Sequence, residues 1–209
     1  MRTTNCIIFC AVIAVSACTE ISDGPVEGRL TDKASGQPIV DALVLVKWDM
    51  AVGGWLAEKR YVCYHVETAK TDANGRYRIP KWQVKLGKDE TGEQIRWLPD
   101  RTVSVSVRAL KVGYLDARDG FGGSPGKIDF KATRFAGTEA QWFDEWTKTE
   151  HFSEECSGGG SRTALEAMVV LYERLGHTAD DKSALHYLKG NLANPDYGKY
   201  GITNRSQTK

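Results

Sequence analysis

The sequence predicts a mainly β fold with a small α-helical cap at its C-terminal end. Three observations predict it. Residues 102–110, "TVSVSVRAL", place Val103, Val105, Val107 and Ala109 on one face, and Thr102, Ser104, Ser106 and Arg108 on the other. That period of two belongs to a half-buried strand. The apolar runs "YVCYHVETAKT" and "RYRIPKW" flank "DANG", a turn in which Asn or Gly takes positive φ, as a hairpin requires. After Phe135 the period changes, and Ala164, Leu165, Met168, Val169, Tyr172 and Leu175 recur at helical spacing until Gly176.

A chain of 209 residues fits one domain with appendages, and 41% hydrophobic residues are enough to fill a core. The net charge of +1 gives no electrostatic footprint for nucleic acid.

The N-terminus speaks for the compartment. Arg2 is followed by "CIIFCAVIAVSAC", an apolar run too short to span a bilayer and laid out like a secretory signal. Val15-Ser16-Ala17-Cys18 resembles the lipobox of bacterial lipoproteins, in which the cysteine is acylated and becomes the first residue after cleavage. That resemblance implies a signal peptide over 1–17, lipidation at Cys18 and membrane attachment through the lipid. The alternative is an ordinary signal peptide cut nearby. Thr19, in place of aspartate, points by the same resemblance to the outer membrane, with the chain facing the periplasm of the cell envelope.

Cysteine arithmetic follows from the compartment. Cys6 and Cys10 leave with the signal and Cys18 is acylated, so Cys63 and Cys156 remain in an oxidising space. They are expected to pair as a disulfide. The long loop so closed gives a chain-entropy estimate of roughly 4–5 kcal/mol, an upper figure before strain.

The remaining elements read in order. Residues 18–25 are a polar tether, 26–134 the β domain, 135–193 a helical extension and 194–209 a mobile tail. Within the β domain "VEGRLTD" alternates, "KASGQP" turns and "IVDALVLVKW" is a strong strand; residues 49–60 form a glycine-broken insertion. Residues 84–101 are a long polar loop, "DGFGGSPG" a second loop and "KIDFKAT" the last strand. In the extension, Thr138 with Gln141 and Thr163 with Glu166 have capping-box spacing, and Trp142, Phe143 and Trp146 form one apolar side. A second helix is read over residues 180–189, with Gly190 past its end, and "SGGG" before the first long helix is a hinge.

Val26, Gly28, Asp32, Gly36, Pro38, Ile39, Ala42, Val44 and Val46, followed by Thr71-Asp72, Gly75, Tyr77 and Ile79, resemble the carboxypeptidase regulatory-like family, related to the transthyretin-like fold. Asp41 departs from the pattern, where the family commonly has glycine, and the gap before Thr71 is longer than usual. The resemblance implies a seven-stranded Greek-key β-sandwich. It also implies a domain without catalysis of its own, serving as an accessory, adhesive or binding module for protein or carbohydrate. The helical remainder lies beyond it.

One constellation carries possible chemistry. On the strand from Tyr61, strict alternation sends Val62, Tyr64 and Val66 to the core and gathers Cys63, His65 and Glu67 on the other face. Sulfur, imidazole and carboxylate at that spacing could hold zinc, as in a metal-dependent hydrolase, or Cys63 and His65 could act as a thiol–base pair. The competing reading is a covered face. Leu43 and Leu45 stand on the outer side when Ala42, Val44 and Val46 face the core, and they need cover that the C-terminal helices can give. The covered face is preferred, with no metal, no cofactor and no catalytic residue assigned. Trp48, Trp55 and Trp97 are the candidate binding surface, since exposed indoles stack on sugars or fill a partner's pocket. The functional expectation is a non-enzymatic envelope lipoprotein with a protein partner. A carbohydrate-binding module and an inhibitor or immunity protein against an envelope toxin are the alternatives.

Overall fold

The central strand of the protein is "LVLVKWDMAV", and its alternation decides both layers that pack on it. In the computed structural model, which describes residues 20–52, 60–85, 103–115, 118–122, 126–149 and 161–195, this strand sends Val44, Val46 and Trp48 inward and Leu43 and Leu45 outward. The described strands are β1 (Glu20–Asp23), β2 (Val26–Asp32), β3 (Leu43–Val52), β4 (Arg60–Lys70), β5 (Arg76–Ile79), β6 (Trp82–Lys85), β7 (Val103–Leu110), β8 (Tyr114–Leu115), β9 (Arg118–Gly122) and β10 (Phe130–Arg134). Three helices follow: α1 (Glu139–Thr149), α2 (Arg162–Leu175) and α3 (Ala179–Ala193).

Eight of the strands form two sheets, ordered β5-β2-β10-β8 and β4-β3-β7-β9, while β1 and β6 pair as a separate ribbon. One core lies between the sheets, drawing Val26, Leu30, Tyr77, Ile79 and Phe130 from the first and Val44, Val46, Trp48, Val105 and Val107 from the second. Gly28 shows how closely the chain packs there: a Cβ on it would meet the Ile128 carbonyl oxygen at 1.7 Å, so only glycine fits. The fold is therefore β-rich with a helical C-terminal part, as expected. The arrangement among the described residues is two four-stranded sheets and a ribbon rather than seven strands.

A second apolar cluster forms on the outer side of the β4-β3-β7-β9 sheet. Leu43, Leu45, Val66 and Leu110 meet Trp142, Phe143 and Trp146 of α1, Leu165, Met168 and Leu171 of α2, and Leu188 of α3. The cover that the two outward leucines demanded is thus supplied by the helices. Each fully buried large apolar side chain contributes roughly 1.5–3 kcal/mol relative to exposure. The helix layer is consequently fixed by the outer cluster rather than by helix propensity, which is weak at these lengths.

Local signals explain where the helices begin. Before α1, Thr138 and Gln141 form the expected reciprocal cap: the Gln141 amide donates to the Thr138 hydroxyl at 3.2 Å and the Thr138 amide donates to Gln141 Oε1 at 3.0 Å. At α2 the cap is Ser161 rather than Thr163, with the Ala164 amide donating to its hydroxyl at 3.4 Å. At α3, Thr178 and Asp181 close a capping box. Burial works to raise the Asp181 carboxyl, but hydrogen bonds from Thr178 and His177 outweigh it and hold the group below the ordinary aspartate range. Gly190 lies inside α3, which runs to Ala193 instead of stopping before the glycine.

Several expectations for the strands change. The tether read over 18–25 contains β1, whose four residues pair with β6 in the register Glu20↔Lys85 through Asp23↔Trp82. The region read as an insertion from residue 49 supplies the last residues of β3, and Arg60, its final residue, opens β4. The stretch read as a glycine loop supplies most of β9, which lies at the edge of its sheet along β7. Backbone pairing at an edge places little demand on side chains, so glycine does not prevent it. The tail after residue 195 and the "SGGG" hinge lie outside the described residues. No helix among the described residues is long and apolar enough to cross a membrane.

Candidate functional site

The Cys63/His65/Glu67 triplet does not assemble. Opposite β4, the register of β3 runs Trp48↔His65 and then Asp49↔Cys63, so Tyr64 is the extra residue of a β-bulge. A bulge adds one residue to one strand and reverses the alternation beyond it. Cys63, 4% exposed, therefore joins the outer cluster under the helices. His65 instead contacts Trp48 and Trp82, both members of the core between the sheets. Val66, expected toward that core, belongs to the outer cluster for the same reason. Among the described residues no three His, Cys, Asp or Glu side chains are grouped to hold a metal.

What the bulge builds is an aromatic stack closed by carboxylates. The His65 ring lies on Trp82 with centroids 3.9 Å apart and planes 25° from parallel. Trp48 packs against both, 5.4 Å from His65 and 5.2 Å from Trp82. His65 Nε2 is 3.1 Å from Glu67 Oε1, and the Trp48 indole N–H donates to Asp23 Oδ2 at 3.1 Å. Trp82 comes from β6 and Asp23 from β1, so the stack fastens the ribbon to the second sheet. Its rings are buried, which makes it a structural joint rather than an open cleft.

Trp48 therefore leaves the candidate binding surface: it is fully buried, with its one polar atom satisfied by Asp23. Sequence alternation already put Trp48 in phase with Val44 and Val46, and that signal could have identified it as core. Trp55, Trp97, Cys18 and Cys156 lie outside the described residues. Cys63 sits with its sulfur 3.6 Å from the His65 carbonyl oxygen.

No family model matches the chain, and no curated protein matches it. Among solved structures, the shaft pilin SpaA from Lactobacillus rhamnosus GG aligns over 55% of this chain and 47% of its own, at 12% identity and a TM-score of 0.31. A streptococcal ancillary pilin aligns over 55% of this chain and 30% of its own, at 11% identity and a TM-score of 0.30. An alternative pilotin from the type II secretion system of Vibrio cholerae aligns over 56% of this chain and 99% of its own, at 14% identity and a TM-score of 0.28. The chain spans less than half the length of either pilin. These likenesses assign no activity, and the chemistry rests on the residues themselves.

Two aspartates of the β domain hold turns. Asp32 accepts from the Ala34 and Ser35 amides at 2.9 and 2.8 Å, and from the Ser35 hydroxyl at 3.0 Å. The Ser35 amide leads in holding its carboxyl below the ordinary value. Asp72 accepts from the Arg76 and Asn74 amides, both at 2.8 Å, and is lowered chiefly by the first. Arg134 approaches Asp32 at 3.5 Å and donates to the Tyr114 hydroxyl at 2.9 Å. Asp49 is moved the other way: burial pushes its carboxyl up, opposed by Lys47 at 3.2 Å. None of these groups converges on an open pocket with a nucleophile.

Proposed function

We propose that the chain is a lipid-anchored, non-enzymatic binding or structural module of the bacterial cell envelope, with another protein as its partner. The lipobox-like Val15-Ser16-Ala17-Cys18 supports the anchor and the compartment. The observation that carries the non-enzymatic reading is the bulge at Trp48/Asp49, which separates Cys63 from His65 and Glu67 and commits the cysteine and the histidine to packing. Resemblance in the strands and turns from Val26 to Ile79 further supports a sandwich of the carboxypeptidase regulatory-like kind, a scaffold for binding.

The same reading includes a Cys63–Cys156 bond that staples the helix layer to the sheet. It is supported by the compartment and by the position of Cys63, a buried cysteine in the cluster where helices meet β4. Mass spectrometry of the mature protein tests the anchor and the bond together. Acylation at Cys18 and a two-dalton gain on reduction are expected; an unmodified Cys18, or two reactive thiols in the natively isolated protein, would overturn these parts of the reading. A pull-down of the acylated protein from envelope extract, with the partner identified by mass spectrometry, then tests the binding role. Recovery of catalytic turnover instead of a stoichiometric protein complex would refute it.

A further inference from the structure

We infer that the domain stands directly on the bilayer at its β1–β6 end, rather than swinging on a flexible leash, with the lipid surface as a fixed partner of that end. This deepens the lipoprotein reading and rests on it. Only Thr19 separates Cys18 from Glu20, where β1 begins. Each residue of chain reaches at most about 3.3–3.6 Å, so two steps place Glu20 within roughly 7 Å of an acylated Cys18.

From Glu20 onward the chain is held. All four residues of β1 pair with β6, and Asp23 fastens the strand through the Trp48 indole. Trp82 then fixes the other strand of the ribbon by stacking on His65. The ribbon leads straight into the sheets: Val26 opens β2 three residues after Asp23, and its partner Ile79 ends β5 three residues before Trp82. The Val26/Ile79 end of the first sheet is therefore the anchored end.

The opposite end follows from the register. β2 carries seven residues, about 23 Å at the usual rise, before Asp32 and the turn to Gly36. The Asp72–Gly75 turn lies beside it, since Arg29 pairs with Arg76 and the Leu30 amide donates to the Gly75 carbonyl at 2.8 Å. Both turns accordingly face away from the headgroups.

The test uses the full acylated protein in phosphatidylethanolamine–phosphatidylglycerol liposomes containing nitroxide-headgroup lipid. A fluorophore is placed at Ser22→Cys on the ribbon, or at Ala73→Cys or Lys33→Cys in the distal turns, after the native thiols are oxidised. All three positions are exposed, and two distal sites guard against one misfolded variant. Quenching several-fold stronger at residue 22 than at 73 and 33 is expected. A long Gly-Ser insert between Thr19 and Glu20 should bring the three close to equality. Equal quenching with the natural spacing, or an unchanged gradient with the insert, would overturn the inference. Failure of the protein to float with the liposomes would instead strike the lipidation reading itself.

Discussion

Cys63 and His65 are separated by a single residue on β4, yet the sulfur lies beneath the helices and the imidazole lies between the sheets, stacked on Trp82. The register slip at Trp48/Asp49 is the cause. Because ligands must converge within about 2–2.3 Å of one zinc ion, side chains on opposite faces of a sheet cannot share it. Addition of Zn²⁺ or of EDTA should therefore leave the melting temperature of the oxidised protein unchanged. A zinc-dependent rise of several degrees that disappears in His65→Ala would contradict the split.

The Trp48–Asp23 hydrogen bond ties the ribbon to the second sheet. Asp23→Ala leaves a buried indole N–H without that acceptor, a loss of about 1–3 kcal/mol. Equilibrium urea unfolding should show it as a lower midpoint. Hydrogen exchange should also speed up first in residues 20–23 and 82–85, because the ribbon loses a fastening before the sheets do. Uniform exchange across both sheets would mean that the bond does not hold the ribbon locally.

The outer cluster makes a paired prediction on α2. Leu165 is fully buried between helix and sheet, whereas Val170, five residues along, is 59% exposed. Leu165→Ala should cost about 2–5 kcal/mol through lost burial and the cavity left behind. Val170→Ser should stay within about 0.5 kcal/mol of the native protein. Thermal melts of the two variants decide it, and equal losses would mean that α2 is not seated by the stripe that faces Leu43 and Leu45.

Those residues also show what was legible in the sequence. Alternation in "DALVLVKW" assigned Val44 and Val46 to one layer and Leu43 and Leu45 to another, and the demand for cover on the second layer located the helices. Alternation failed at β4 because a bulge leaves no composition signal: "VCYHVE" contains no glycine to mark the extra residue. The ribbon was missed for a related reason. "EISD" is too short and polar to read as a strand, and its place is set by Trp82 and Trp48, far away in sequence. The aromatic stack emerged only in three dimensions, since Trp48, His65 and Trp82 come from three different strands.

Acid should loosen the distal turns. Asp32 and Asp72 both have carboxyls held below the ordinary aspartate value by backbone amides of their own turns. A lowered folded value means that their stabilisation is present above the unfolded value, about pH 3.9, and is lost as pH falls through the folded values. Melting temperature should thus drop steeply below about pH 4. Asp32→Asn combined with Asp72→Asn should flatten that drop while lowering stability at neutral pH. An unchanged acid slope would remove these two carboxylates from the account.

Asp41 offers a test of backbone strain. It is the single non-glycine residue with positive φ among the described residues, at 54°. Left-handed backbone costs most L-residues about 1–2 kcal/mol, less for aspartate and nothing for glycine. The Asp41–Lys70 pair offsets little, because both side chains are about two-thirds exposed. Asp41→Gly should raise the melting temperature slightly, limited by the extra freedom glycine gives the unfolded chain. Asp41→Ala should lower it, since alanine keeps the Cβ penalty and loses aspartate's tolerance for this region. The expected order is glycine, aspartate, alanine from most to least stable, and an alanine variant as stable as the native protein would show that the turn relaxes out of the left-handed region.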